Sequence, residues 1–341
     1  METIKEKRKK LTGSKAMIQA LEQEMNRDSN IFIMGEDIGK YGGIFGSTTG
    51  LYDKFGSDRI MDTPISETGF IGASVGAAAE GLRPVVELMF ADFHGVVMDQ
   101  IYNHIAKIHY MSGGNVKLPI VLMTAVGGGY SDAAQHSQTL YASFGHLPGL
   151  KVVAPTFPHD IKGMLITAIR DDNPVIFMFH KTLQGLGWMD QIDASLGPVP
   201  EEAYTIPLDK ANIVREGKDV TIVGVQMMTV EALKAAEKLA EQGIDAEVID
   251  LRSIKPIDKE TILTSIAKTN RLVVVDEDYY SYGITAEISA IVASEGFKDL
   301  KAPIVRLAIP DVPIPYSRVM EKFVIPNADN IIDSVKKLVK I

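Results

Sequence analysis

The sequence predicts an α/β protein of two domains, on three observations. Apolar runs of strand length alternate with segments of helical period, which implies parallel sheets covered on both faces. The chain has 341 residues and 46% hydrophobic side chains, enough for two cores at about 150 residues per domain. Between Lys181 and Pro207 the periodicity fails among Gly185, Gly187, Gly197, Pro198, Pro200 and Pro207, and the pattern then restarts. The expected organisation is a first domain over 1–190, a linker over 191–207 and a smaller second domain over 208–341.

Taken in order, Ala16, Met17, Ala20, Leu21 and Met25 recur at helical spacing after Ser14, a candidate N-cap. A strand follows over 31–34. It ends in Gly35-Glu36-Asp37, which puts two carboxylates at the carboxyl edge of a strand. Strands are expected over 84–88, 119–124, 151–154 and 175–179, with helices over 97–110 and 160–170. In the second domain the expected strands are 220–225, 246–251 and 272–276, and the expected helices 229–242, 258–268 and 284–293.

Composition removes several functions. With no cysteine there are no disulfides, zinc-thiolate sites, iron–sulfur clusters or thiol nucleophiles. A net charge of -9 disfavours phosphate backbones and so argues against nucleic acid. The basic run Lys5, Lys7, Arg8, Lys9, Lys10 is short and interrupted by Glu6, and reads as a solvated tail. No apolar stretch reaches the roughly 20 residues that cross a bilayer, and Leu11-Thr12-Gly13-Ser14 stands where a signal peptide would place its apolar segment. The expected address is the cytoplasm.

The motif search is mostly negative. Gly39-Lys40 and Gly217-Lys218 lack the flanking residues of a P-loop, and neither Gly42-Gly43-Ile44-Phe45-Gly46 nor Gly127-Gly128-Gly129-Tyr130 makes a dinucleotide fingerprint. Gly72-Ala73-Ser74-Val75-Gly76 does match the nucleophile elbow of serine hydrolases, so Ser74 is a rival candidate. That elbow needs a buried strand before it, and Asp62-Thr63-Pro64-Ile65-Ser66-Glu67 is turn-like.

More can be argued from Glu67, which stands at the start of a helix of small residues. It is either a carboxylate favoured by the helix dipole or an acid kept for proton chemistry. His136 follows a glycine-rich loop that itself follows a strand, where α/β sites lie, and a histidine there can serve as acid or base near neutral pH. Met89 and Phe93 follow the strand 84–88 and either wall a pocket or fill the core.

Read together, Gly35-Glu36-Asp37, Asp62-Thr63-Pro64-Ile65-Ser66-Glu67, Gly81-Leu82-Arg83-Pro84-Val85-Val86-Glu87, Gln135-His136-Ser137-Gln138, Pro148-Gly149-Leu150-Lys151-Val152-Val153, Ala168-Ile169-Arg170-Asp171-Asp172-Asn173-Pro174, Glu247-Val248-Ile249-Asp250-Leu251-Arg252 and Asp311-Val312-Pro313-Ile314-Pro315 resemble, in order, the β subunit of the thiamine-diphosphate-dependent E1 component of 2-oxo acid and acetoin dehydrogenase complexes. The resemblance implies a pyrimidine-binding-type parallel sheet followed by a transketolase-C-like α/β domain. Thr182 to Met189 and Asp276 to Tyr282 depart from the family pattern.

The resemblance also implies chemistry. In that family a glutamate bonds the ring nitrogen of the cofactor's aminopyrimidine and promotes the tautomer that takes the thiazolium C2 proton; Glu67 holds the matching position. It further implies that Glu36 belongs to the cofactor-binding set, that Phe93 packs on the aminopyrimidine with Met89 and Ile65 as apolar neighbours, and that His136 handles protons near the thiazolium or steers transfer to a lipoyl group. Family β subunits often hold potassium at the positions of Ile120, Ala168, Ile169, Asp171 and Asn173; here Asp171 and Asn173 are expected to add side-chain oxygens. The diphosphate-and-magnesium motif of such enzymes, Gly-Asp-Gly with a later asparagine, is not in this chain, which implies that a separate α subunit supplies it in an α2β2 assembly serving a lipoyl acyltransferase, E2. Glu87-Leu88-Met89-Phe90, with Asp92 and Phe93, is most like acetoin-cleaving enzymes; pyruvate and branched-chain 2-oxo acids are the alternative substrates.

Overall fold

The computed structural model describes residues 8–340. The chain divides into two compact units. The first runs to Val126 and adds Gly145–Val153 and Phe157–Leu208; the second takes Gly127–Phe144, Ala154–Thr156 and the chain from Asp209 onward.

In the first unit, parallel strands lie in the order Lys151–Val153, Val175–His180, Val121–Val126, Arg83–Phe90, Ile31–Gly35, Ile60–Asp62. Val121–Val126 and Val175–His180 are buried at every residue, as strands covered on both faces must be. Helix Gly13–Arg27 turns Ala16, Met17, Ala20, Leu21 and Met25 into this core. Its cap is Thr12, whose hydroxyl accepts from Lys15 N. Ser14, the expected cap, lies inside the first turn and donates to the Gln184 carbonyl at 3.1 Å instead.

The expected helix over 97–110 is replaced by a 3-10 turn Ala91–Val97, a π-type turn Gln100–Ile105 and a short helix Ile108–Met111. The bond from Ala106 N to Ile101 O spans five residues and marks the wide turn. Two stretches read as irregular are strands. Arg8–Thr12 pairs antiparallel with Leu196–Pro200, inside the expected linker, and Lys9 meets Glu201 at 2.8 Å. The side chains of Arg8, Lys9 and Lys10 are exposed, as a solvated run would be, but their backbone is paired. Lys5 and Lys7 lie outside the described residues.

The second unit places parallel strands Val305–Ile309, Leu272–Tyr279, Val220–Gly224 and Ala246–Asp250 side by side, with Asn212–Arg215 antiparallel at one edge. Helices Met227–Ala240 and Ala328–Val339 cover one apolar core. Asn327 and Asn330 close the second of these with a reciprocal capping box. Among the described residues no helix is long and apolar enough to cross a membrane.

Candidate active site

In the first unit the carboxyl ends of Ile31–Gly35, Ile60–Asp62 and Arg83–Phe90 come together, because these strands are parallel and Gly35 is in register with both Asp62 and Glu87. Ligands in α/β sheets bind at such ends. Thr63 N donates to the Gly35 carbonyl at 2.9 Å, and Gly39 N donates to Asp62 Oδ1 at 2.6 Å, so the loops leaving the sheet are tied to one another.

Glu67 is the first residue of helix Glu67–Ala79 and is half-buried. Its predecessor Ser66 makes no side-chain cap and donates to the Pro64 carbonyl instead. Glu36, at the end of Ile31–Gly35, is close enough to feel the Glu67 charge. Burial first, then Glu67 and Asp37, raise the Glu36 carboxyl above its usual range, while the Ser66 N–H opposes them. Glu36 Oε1 and Thr63 Oγ1 are buried oxygens without a hydrogen-bond partner, and Ile65, two residues after Thr63, is 86% exposed. Unsatisfied acceptors and bare apolar surface at one place fit a flat nitrogen heterocycle, which presents both edges and faces.

Met89 and Phe93 are half-buried and pack on the core, with part of each surface left open. Phe93 meets Phe90 edge-on at 5.5 Å between ring centroids. The turn that carries Phe93 is fastened to the helix of Glu67 by the Thr68 hydroxyl, which donates to the Val96 carbonyl at 2.9 Å.

His136 belongs to the second unit and is half-buried in the segment after Val121–Val126. Its backbone N–H donates to the Ala133 carbonyl at 3.4 Å, and Ala133 has φ of 62°. Ser131 and Leu140 also have positive φ, so this segment is bent where side chains resist it.

Four residues of the potassium set lie at the end of helix Pro158–Arg170 and in the turn before Val175–His180, and the Ile120 carbonyl joins them by accepting from Val175 N at 2.9 Å. Arg83 donates to the Ile169 and Asp171 carbonyls at 3.0 and 2.7 Å. The Asp171 carboxylate is engaged by Lys151 and by both nitrogens of Asn173; burial alone would raise its pKa, but these bonds outweigh it and hold the pKa below the ordinary carboxylate value. Backbone carbonyls, each with a second lone pair, and the Asp171 and Asn173 side-chain oxygens are what this turn offers a cation. Among the described residues no cluster of three or more His, Asp or Glu is arranged to hold a metal.

The structure removes the rival nucleophile. Ser74 is fully buried in the middle of helix Glu67–Ala79 and donates to its own helix at Ile71 O, 2.7 Å away. A nucleophile elbow needs a strand-to-helix turn that exposes its serine, and none precedes Ser74.

One acid escaped the sequence reading. Glu87 is buried inside strand Arg83–Phe90, and burial pushes its carboxyl up to about 7 against the one opposing bond, from the Ser47 hydroxyl. The signal was an acid inside the apolar run Val85-Val86-Glu87-Leu88.

The transketolase pyrimidine-binding domain family matches residues 9–185 and the transketolase C-terminal domain family residues 209–331. The chain is 48% identical to the acetoin:2,6-dichlorophenolindophenol oxidoreductase subunit beta of Cupriavidus necator, over 97% of this chain and 98% of that one. It is 46% identical to the pyruvate dehydrogenase E1 component subunit beta of Rickettsia felis, over 96% and 98% respectively. A solved split-gene transketolase, described as an inactive beta4 tetramer, has the same fold, with a TM-score of 0.77, 23% identity and coverage of 97% and 98%. The chain therefore belongs to the family of β subunits of the thiamine-diphosphate-dependent E1 components of 2-oxo acid and acetoin dehydrogenases, built from the two transketolase domains.

Proposed function

We propose that this chain is the β half of an E1 enzyme that cleaves acetoin, with a separate α subunit completing the site in an α2β2 assembly. Pyruvate or branched-chain 2-oxo acid cleavage is the second reading, favoured by the 46% identity to a pyruvate dehydrogenase subunit. Bound thiamine diphosphate would supply a carbanion centre that takes up the acyl unit, destined for the lipoyl group of an E2 acyltransferase. The α subunit would hold the diphosphate through magnesium. The Ile120, Ala168, Ile169, Asp171 and Asn173 turn would hold potassium through carbonyls, with side-chain oxygens from Asp171 and Asn173.

The residues of this chain bind, orient and protect. Glu67 holds a hydrogen bond at its carboxyl group to the ring nitrogen of the pyrimidine. Burial first, and then the Glu67 charge, raise the Glu36 carboxyl above its usual range. Ile65, Met89 and Phe93 exclude water, which strengthens that bond and keeps stray protons away. His136 gives or takes a proton on the substrate side.

The observation that carries the proposal is the Glu36–Glu67 pair with its unsatisfied oxygen at the sheet's carboxyl end. The test is reconstitution. The chain alone should give no dye reduction with acetoin or pyruvate. Adding the α partner, thiamine diphosphate and magnesium should restore it, with acetoin the better substrate by kcat/KM. Full turnover from the β chain alone would overturn the heteromeric site, and preference for pyruvate would select the second reading.

A further inference from the structure

The segment that carries His136 is held by acids distant in sequence, and these have no part in the function proposed above. Glu321, fully buried in the short helix Arg318–Val324, accepts from Gly129 N at 2.9 Å through Oε1 and from Ser131 N at 3.0 Å through Oε2. Glu277 Oε1 accepts from Gly128 N at 2.7 Å. On the far side of His136, the Tyr279 hydroxyl donates to Gln138 Oε1 at 3.1 Å, and Asp278 Oδ2 accepts from Ala142 N at 3.3 Å. All these groups belong to the second unit.

A buried carboxylate that accepts several backbone N–H groups fixes the direction of each peptide it binds, since such charge-assisted bonds are strong and short. The peptides fixed here are in conformations that most residues avoid. Gly127, Gly129, Ser131 and Ala133 all have positive φ, the first two as glycines at no cost and the others against their side chains. Gly128 is crowded: a Cβ there would lie 2.6 Å from Ile325 Cδ1, a side-chain tip that would have to shift, 3.3 Å from Glu321 Oε1 and 3.4 Å from Glu277 Oε1.

We infer that Glu321, with Glu277, is a positioning residue that clasps the 127–131 backbone and thereby sets the place of the His136 imidazole. The inference rests on the proposed role of His136 for its effect on turnover, but the clasp itself can be observed without turnover. Small errors in placement are expensive in catalysis, since an error of about 1 Å can cost on the order of 10²-fold.

The experiment uses the reconstituted α/β holoenzyme with Glu321→Gln and, from the opposite side of the contact, Gly128→Ala, whose Cβ crowds both carboxylates while leaving them intact. Hydrogen exchange of the 127–133 peptide should quicken at least about tenfold in either variant, with exchange of strand Leu272–Tyr279 unchanged. kcat should fall about 10- to 100-fold with little change in KM. In a His136→Ala background, Glu321→Gln should cost nothing further, because both act through one imidazole. Unchanged exchange in both variants would overturn the clasp. Losses that multiply in the double variant would overturn its action through His136. A His136→Ala holoenzyme with full turnover would overturn the role of His136 and with it this use of the clasp, and the exchange result would still tell the two failures apart.

Discussion

Glu67→Gln is expected to lower kcat of the holoenzyme by about 10² or more, the scale on which a group handling protons contributes, with KM and folding nearly unchanged. Glutamine keeps the size and one acceptor oxygen but cannot hold the proton that a carboxyl shares with a ring nitrogen. Stability should change little. Glu67 is the first residue of its helix and only half-buried, so its structural worth is that of an acid near a helix N-terminus, about 0.3–1 kcal/mol. A second effect follows from its neighbour. The Glu67 charge is, after burial, a cause that raises the Glu36 carboxyl, so removing it should let Glu36 ionise at lower pH, which the carboxyl resonance of Glu36 followed against pH would show. An unchanged kcat would return Glu67 to the role of a dipole-favoured helix start.

Glu87→Gln should make the chain more stable above pH 7 and leave it nearly unchanged below the ordinary glutamate range. In the folded chain Glu87 titrates at about 7 against 4.5 for an unburied glutamate. Between those values the folded state keeps a proton that the unfolded state has released. Stability from this group is thus fully present at low pH and lost as pH rises through 7. The loss is about 3 kcal/mol, at about 1.4 kcal/mol for each tenfold difference in proton affinity between the folded and unfolded chain. Glutamine does not titrate and can still accept from the Ser47 hydroxyl. The measurement is denaturant unfolding of both chains at pH 5 and pH 8: the difference between them should grow by about 2–3 kcal/mol in favour of glutamine. A difference independent of pH would mean that Glu87 is ionised in the folded chain throughout.

The α/β alternation was legible because completely buried parallel strands such as Val121–Val126 and Val175–His180 read as unbroken apolar runs between helix-period segments. The strand Leu196–Pro200 was not. Gly197, Pro198 and Pro200 are loop signals, and only its partner, Arg8–Thr12 at the other end of the unit, makes it a strand. The basic character of Arg8, Lys9 and Lys10 hid that partner in the same way. At the site, Glu36 and Glu67 were visible as acids at element ends, whereas their mutual approach required the parallel register of Ile31–Gly35 with Ile60–Asp62. Glu321 gave no local signal, since its work is done on peptides nearly two hundred residues away in sequence.

The measurement that tests the central claim most directly is the rate at which C2 of bound thiamine diphosphate trades its proton for deuterium, followed by rapid quench and NMR in the α/β holoenzyme. A carboxyl group on the pyrimidine nitrogen predicts exchange at least about 10² faster in the unaltered protein than in the Glu67→Gln variant. Equal rates in the two proteins would contradict it.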